Sequence, residues 1–443
     1  MTDISGSRLT GTVATTNGRL RSPQFAQSNV DPRLTWLGLG FMWIVAFSSF
    51  FVLFEPAPYE FLAIAAIGTA FLFGMAIPKP IILPLALLIV YVAGGFVGVM
   101  IAPDFGEALF QMSVTAFLAS TSLLWACFVY RDTLARMALV VNALQCGAIL
   151  ATLIGIMGYF NIGGTFELFT LYGRARGPFQ DPNVFGPFVV GGVAFAIYAI
   201  LSRPMSKWLF PMTVILIGTL GILLSFSRGA WGLTAYCAGV ITLLHFVLTN
   251  SAAQRLRVIV LSICGIAVLT GGVVIALSVP AIGDLFTVRA SLVQNYDAGE
   301  LGRFGRIVRG FAMAPEYPLG LGAFGFKEIF GIDPHNVYLN ALMAHGWMGF
   351  FAYTTLVFLT AFHLLKVVLY NPPFRSVAIP LLALFTGLML VGTFIDTDRW
   401  RQFFMMLGLS WGLIGASIAN PYQPRRTHQK RQTVPLAAAS LKA

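Results

Sequence analysis

Asp333-Pro334-His335-Asn336 and, after nine further residues, Gly346-Trp347-Met348-Gly349 close the longest polar interruption, 284–349, in an otherwise apolar chain. Asp333 has the chemistry of an N-cap and Pro334 that of a first helical residue. A helix is therefore expected to open there, with His335 in its first turn, and to run through Gly346. Leu339, Leu342 and Gly346 follow His335 at helical spacing and form the face that packs. A helix N-terminus disfavours imidazolium, so this reading keeps the ring neutral and able to accept a proton. Downstream, residues 347–370 form an apolar run long enough to cross a membrane.

The rest of the chain repeats that pattern. Of 443 residues, 57% are hydrophobic and 10% charged, whereas soluble domains carry about a quarter charged residues. Mean hydropathy is +0.81. The class is an all-α polytopic membrane protein. Apolar runs near 34–54, 57–77, 80–101, 106–130, 134–159, 184–202, 208–226, 230–249, 257–280, 347–370, 376–395 and 401–419 give about 12 transmembrane helices. The expected organisation is a disordered cytoplasmic tail over 1–33, spans one to nine over 34–280, and one large loop with its helix over 281–346. Spans ten to twelve follow over 347–420, then a basic tail over 421–443. The first tail lacks an apolar core of signal-peptide length, so it reads as a tail and not as a cleaved signal. Cys127, Cys146, Cys237 and Cys264 lie in apolar runs without CxxC spacing and are expected to be small core residues.

A formal charge of +11 in such a chain reads as the positive-inside signal and not as a nucleic-acid footprint. Arg8, Arg19, Arg21 and Arg33, then Lys79, Arg131, Arg136, Arg203, Lys207, Arg255, Arg257, Lys366 and Arg375, and finally the C-terminal tail, all fall on one side of a twelve-span topology. That side holds both termini and is expected to be cytoplasmic. Arg174, Arg176, Arg228, Arg289, Arg303, Arg306, Arg309, Lys327, Arg399 and Arg401 fall on the other. All of these but Lys327 are arginine, the residue suited to forked recognition of phosphate or carboxylate. Pairing with Asp181, Asp297, Glu300, Asp396 and Asp398 is the structural alternative. Ionisable groups in mid-span, the mark of an ion-coupled transporter, are nearly absent.

Four constellations lie on that second side. Arg174-Ala175-Arg176-Gly177 precedes Asp181-Pro182-Asn183, where Asp181 reads as an N-cap and Pro182 as the first helical residue; arginines beside unpaired helix N–H groups suit an anionic head-group. Ser225-Phe226-Ser227-Arg228-Gly229 is the whole connection between two spans and holds Arg228 at the membrane surface. Arg303, Arg306 and Arg309 recur every third residue, along one side of a helix. Gly320-Leu321-Gly322-Ala323-Phe324-Gly325 has GxGxxG spacing but no preceding strand, and reads as a flexible turn. The fourth is His335, the candidate general base, with His345 second. His245, His363 and His428 lie toward the other side or in the tail.

In this order, these pieces resemble the O-antigen ligase and Wzy-type polymerase superfamily. The resemblance is carried by Arg174-x-x-Gly177 followed by Pro182-Asn183, by Ser227-Arg228-Gly229, by Arg303 ahead of Pro318-Leu319-Gly320-x-Gly322, and by His335-Asn336 with Gly346-x-x-Gly349. The last is similar to the ligase pattern. The resemblance implies a GT-C-like fold and a metal-independent, inverting glycosyltransferase without a cofactor, at the periplasmic face of a bacterial inner membrane. Its donor would be a glycan on undecaprenyl diphosphate, its acceptor the lipid A core or a growing polysaccharide, and its surroundings membrane lipids. By the same carry-over, His335 would deprotonate the acceptor hydroxyl and Arg174, Arg176, Arg228 and Arg303 would hold the diphosphate, supported by Asn183, Arg306 and Asn336. By this reading no DxD-like acidic cluster is present to hold a metal. Ligase and polymerase, the latter for O-antigen or exopolysaccharide, differ in the acceptor; a lipid-linked glycan transporter or flippase is the alternative class.

Overall fold

The computed structural model describes residues 32–278, 283, 286 and 302–422. Most of the two tails read from the sequence, with Asp284, Arg289, Asp297 and Glu300, lies outside the described residues. Every apolar run forms a helix. The chain begins with α1 (Pro32–Ser48), α2 (Pro58–Leu72), α3 (Ile82–Val99), α4 (Phe105–Arg131) and α5 (Thr133–Tyr159). A short α6 (Phe166–Phe169) then leads into an antiparallel hairpin, β1 (Thr170–Leu171) with β2 (Arg174–Ala175). Next come α7 (Pro182–Ser202), α8 (Leu209–Leu224), α9 (Arg228–Leu248) and α10 (Ala252–Leu277). After the large loop stand α11 (Arg303–Met313) and α12 (Gly325–Phe330), then α13 (Val337–Tyr370), α14 (Arg375–Val391) and α15 (Arg401–Ala419).

Among the described residues nine helices are long and apolar enough to cross a membrane: α3, α4, α5, α7, α9, α10, α13, α14 and α15. α1, α2 and α8 are apolar but shorter. The protein is thus an all-helical, multi-pass membrane protein. α7 is the central post, with 89% of its apolar window buried, while α10, at 6%, stands on the periphery. Cys127 and Cys237 are core residues as expected, but Cys264 on α10 is exposed, because that helix packs against little else.

Loops after α1, α3, α5, α8 and α14 meet at one end of the bundle. Val52 N–H donates to Pro178 O (2.7 Å) and Val337 N–H to Gly392 O (2.8 Å). Arg401 on α15 pairs with Glu55 (3.1 Å) and with Glu60 at the start of α2. One expected outward arginine therefore takes acidic partners, though not those anticipated.

Four helices that run in the same direction are capped at both ends. At the loop-rich end their first N–H groups are taken by Asp104 (α4), Asp181 (α7), Ser227 (α9) and Asn336 (α13). At the other end arginines from elsewhere take their last carbonyls. Arg136 donates to Phe128 O on α4, Arg257 to Ile200 O on α7, Arg255 to Thr249 O after α9, and Arg375 to Val368 O and Leu369 O on α13. Oxygen acceptors at the N-terminus and cations at the C-terminus both complement the macrodipole. Among the described residues, Arg136, Arg255, Arg257 and Arg375, assigned to one side by charge counting, all close helices at this end.

α13 is kinked at Gly346, which has φ 66° and ψ −174°. The expected span from 347 is therefore the second half of one longer helix. The sequence 318–322 inserts at the break: Leu321 N–H donates to Met343 O (2.7 Å) and Trp347 N–H to Pro318 O (3.0 Å). Two helical groups thus exchange their i→i+4 bond for bonds to a neighbouring extended segment, and neither is left unpaired. The GxGxxG stretch is accordingly a pinned turn, with Gly320 at φ 81° and Gly322 at φ 76°, and the expectation of flexibility is corrected. α3 lies close behind the kink, because β-carbons at its Gly94 and Gly98 would collide with His345 O and Ala344 O.

Candidate active site

The hairpin after α6 carries Arg174 into the protein. Its side chain is buried, with Nε–H donating to Ser225 O (2.8 Å) and Nη2–H to Asn183 Oδ1 (2.9 Å). Ser225 is the C-cap of α8, so Arg174 closes that helix and ties it to the first turn of α7. Asn183 is held in turn by its own N–H on Asp181 Oδ1 (2.6 Å), the cap expected from the sequence. Arg176 points its guanidinium at the carbonyls of Gln180, Glu167 and Leu168. It clasps its own loop through Nη1 and Nη2, while its Nε–H has no partner among the described residues.

Arg228 is the first residue of α9, directly after the Ser227 cap. It sits half-buried at a helix N-terminus, where aligned peptide dipoles add to its positive field. The next residue, Gly229, lies against Ile395: a β-carbon there would meet Ile395 Cδ1 at 3.5 Å. Arg303 opens α11 and Arg306 follows one turn on, both half-buried. Phe304 sets its ring edge-on to Phe394 with centroids 6.5 Å apart. The segment 393–398 therefore lies against both α9 and α11.

His335 is bound to that same segment. It does not stand in the first turn of α13: the N-cap is Asn336, whose Oδ1 accepts from Tyr338 N–H (3.0 Å) and Leu339 N–H (2.9 Å). Asp333 and Pro334 precede the helix, and His335 takes φ 52°, uncommon for a residue with a side chain. Asp396 explains the departure. Its Oδ2 accepts His335 N–H (3.1 Å) and its Oδ1 accepts Asn336 N–H (3.0 Å), while Asn336 Nδ2–H reaches Thr393 O (3.2 Å). The carboxylate grips the two backbone amides, and the chain turns around it.

The same carboxylate faces the ring, with Oδ2 3.4 Å from His335 Nδ1. A carboxylate on one imidazole nitrogen favours the tautomer protonated there and leaves the other nitrogen as the proton acceptor. Among the described residues Nε2 has no hydrogen-bond partner, and the His335 side chain is 33% exposed. An accessible, oriented ring nitrogen is what a general base requires. Asp396 entered the sequence reading only as a partner for arginine. Its signal was a cluster of polar residues, 396–399, between two apolar runs; the partner lies 61 positions away.

His345, the second candidate, is enclosed. It stacks on Tyr91 with centroids 4.0 Å apart, and its Nδ1 lies 3.0 Å from Tyr91 O; buried within a span, it is out of reach of substrate. Asp396-Thr397-Asp398 does have DxD spacing, which corrects the statement that none is present. Both carboxylates take protein donors, Asp396 as above and Asp398 Oδ2 from Asn340 Nδ2–H (2.7 Å). Burial pushes the Asp398 carboxyl up to about 6; nearby Arg399 opposes the shift and the Asp396 charge adds to it.

Contacts thus run unbroken from Arg174 through Ser225 to Arg228 and Gly229, then to Ile395, Asp396 and His335, with α11 joining through Phe394. No protein-family model matches this chain, and no curated protein matches it.

Proposed function

We propose that this protein is a membrane glycosyltransferase of the O-antigen ligase and Wzy-type polymerase kind. It would move a glycan from undecaprenyl diphosphate to an acceptor hydroxyl at the periplasmic face of a bacterial inner membrane. In this reading α1, α2 and α8 also cross the bilayer, giving about 12 spans in a GT-C-like arrangement. The observation that carries it is the His335–Asp396 pair standing where arginine-bearing helix starts converge.

In the reaction the acceptor oxygen attacks the anomeric carbon and loses its proton to His335 Nε2. The bond from that carbon to the phosphate oxygen breaks, with inversion, and undecaprenyl diphosphate leaves with the electron pair. The new negative charge falls on phosphate oxygens. Arg228 and Arg303, with the Ser227-capped N-terminus of α9, supply preorganised positive potential for it. Arg174 acts mainly by locking Ser225 and Asn183, and so by fixing where Arg228 stands. The proton on His335 then passes to the departing diphosphate or to water.

The test is purified protein in nanodiscs with a defined lipid-diphosphate glycan donor. Two acceptors compete: lipid A core and a second lipid-linked repeat. A new glycosidic bond, absent with His335→Ala, supports the reading, and the acceptor used separates ligase from polymerase. Donor that crosses liposome bilayers without any glycosidic product would overturn it in favour of a transporter.

A further inference from the structure

Among the described helices α11 stands apart in how its apolar residues are placed. Phe304, Val308 and Phe311 recur at i, i+4 and i+7 and so share one face. They are 50%, 69% and 39% exposed. Gly310, off that face, is buried against Leu339 and Phe326, where a β-carbon would lie 2.7 Å and 2.8 Å from their side-chain atoms. Arg306 and Arg309 also lie off the apolar face. The helix packs on the protein through Gly310, Ile307 and Met313 and leaves Phe304, Val308 and Phe311 largely exposed.

Both ends of α11 continue into surfaces that already belong to the bilayer. At its start, Phe304 meets Phe394, which follows the exposed Leu390 at the end of the spanning helix α14. At its far end, Trp347 Nε1–H donates to Ala314 O (3.1 Å), next to the last residue of α11. Trp347 itself is exposed and leads into Met348 and Phe351, exposed on the spanning part of α13. An indole at such a junction is the usual mark of a membrane–water boundary.

We propose that α11 is an in-plane interfacial helix. Its Phe304–Val308–Phe311 face is seated in the acyl boundary of the leaflet at the loop-rich end, with Arg306 and Arg309 at head-group level. Amphipathic helices with an aromatic and aliphatic face and a cationic flank bind bilayers in this way. Its occupant is lipid, because the face is continuous with the lipid-facing sides of α13 and α14 at both ends. Arg303, in its first turn, is thereby held at head-group depth whatever the protein's reaction proves to be.

The test is spin-label accessibility in the full chain, reconstituted in nanodiscs of phosphatidylethanolamine and phosphatidylglycerol. Cys127, Cys146, Cys237 and Cys264 are first replaced by alanine, and single labels are placed through Phe304→Cys, Val308→Cys, Phe311→Cys and, as an aqueous reference, Glu328→Cys. Expected is relaxation by oxygen several-fold above that by a water-soluble nickel chelate at the three helix sites, and the reverse order at Glu328→Cys. Relaxation dominated by the nickel chelate at Val308→Cys and Phe311→Cys would overturn the proposal, since the face would lie in water. Weak relaxation by both reagents would overturn it too, since the face would be covered by protein. The three separate labels guard against one variant that fails to fold.

Discussion

Asp396 holds His335 twice through one oxygen: Oδ2 accepts the His335 backbone N–H at 3.1 Å and lies 3.4 Å from the ring Nδ1. Backbone position and ring orientation therefore depend on a single carboxylate. Asp396→Asn keeps an acceptor for only one of the two backbone amides, sets an NH2 against the other, and removes the negative charge from beside the ring. Expected is a fall in transfer rate of about 100-fold or more, the range of general-base contributions, with the protein still inserted and destabilised by about 1–3 kcal/mol for the unpaired amide. Initial rates with the lipid-diphosphate donor, alongside a melting curve, check this; wild-type rates would remove Asp396 from the site.

Arg174 and Arg228 should separate in their effects. Arg174→Lys loses the forked link between Ser225 O and Asn183 Oδ1 and should cost stability, about 1.5–3 kcal/mol for bonds made by a buried charged donor. Arg228→Lys should leave the melting temperature near wild type yet slow transfer, because a point charge cannot reproduce planar two-pronged contacts. Parallel melting and rate measurements on both variants decide the matter.

Gly346→Ala places a β-carbon 2.8 Å from Leu319 C and Pro318 O at a positive φ. Strain in that region costs about 1–3 kcal/mol, before the collision is counted. The variant should melt earlier in detergent and show faster proteolysis in 314–325, as the inserted segment is expelled from the kink. Unchanged melting would mean that the break in α13 matters little to the fold.

Asp398 predicts a pH dependence of known sign. Its folded value, raised by burial to about 6, exceeds the ordinary carboxylate value of about 3.9. The folded state thus binds more proton between those two values, and stability falls as pH rises from about 4 to 6, by up to about 2–3 kcal/mol. Above 6 the penalty is constant. Asp398→Asn, which can still accept from Asn340, should flatten this slope and raise the melting temperature at neutral pH. A slope left intact in that variant would assign the titration to another group.

Local signals were legible and tertiary ones were not. Asp181-Pro182 caps its helix as read, because such a cap reaches only two or three residues along the chain. Asp333-Pro334 has the same signature and failed: Asp396, distant in sequence, takes the amides of residues 335 and 336, and the helix starts at Asn336 instead. The apolar runs located every long apolar helix among the described residues, since bilayer length and hydropathy act on each run alone. What was invisible was that Arg176 would spend its donors on its own loop. The insertion of Pro318–Leu321 into α13 was equally hidden, since both depend on which backbone groups meet only after folding.

The arginines that close α4, α7, α9 and α13 carry a consequence for engineering. In most multi-pass proteins, moving cations between loops is a way to invert orientation while leaving the bundle whole. Here Arg136, Arg255, Arg257 and Arg375 terminate hydrogen-bond ladders, so relocating them to ask which way the chain faces would also fray the posts.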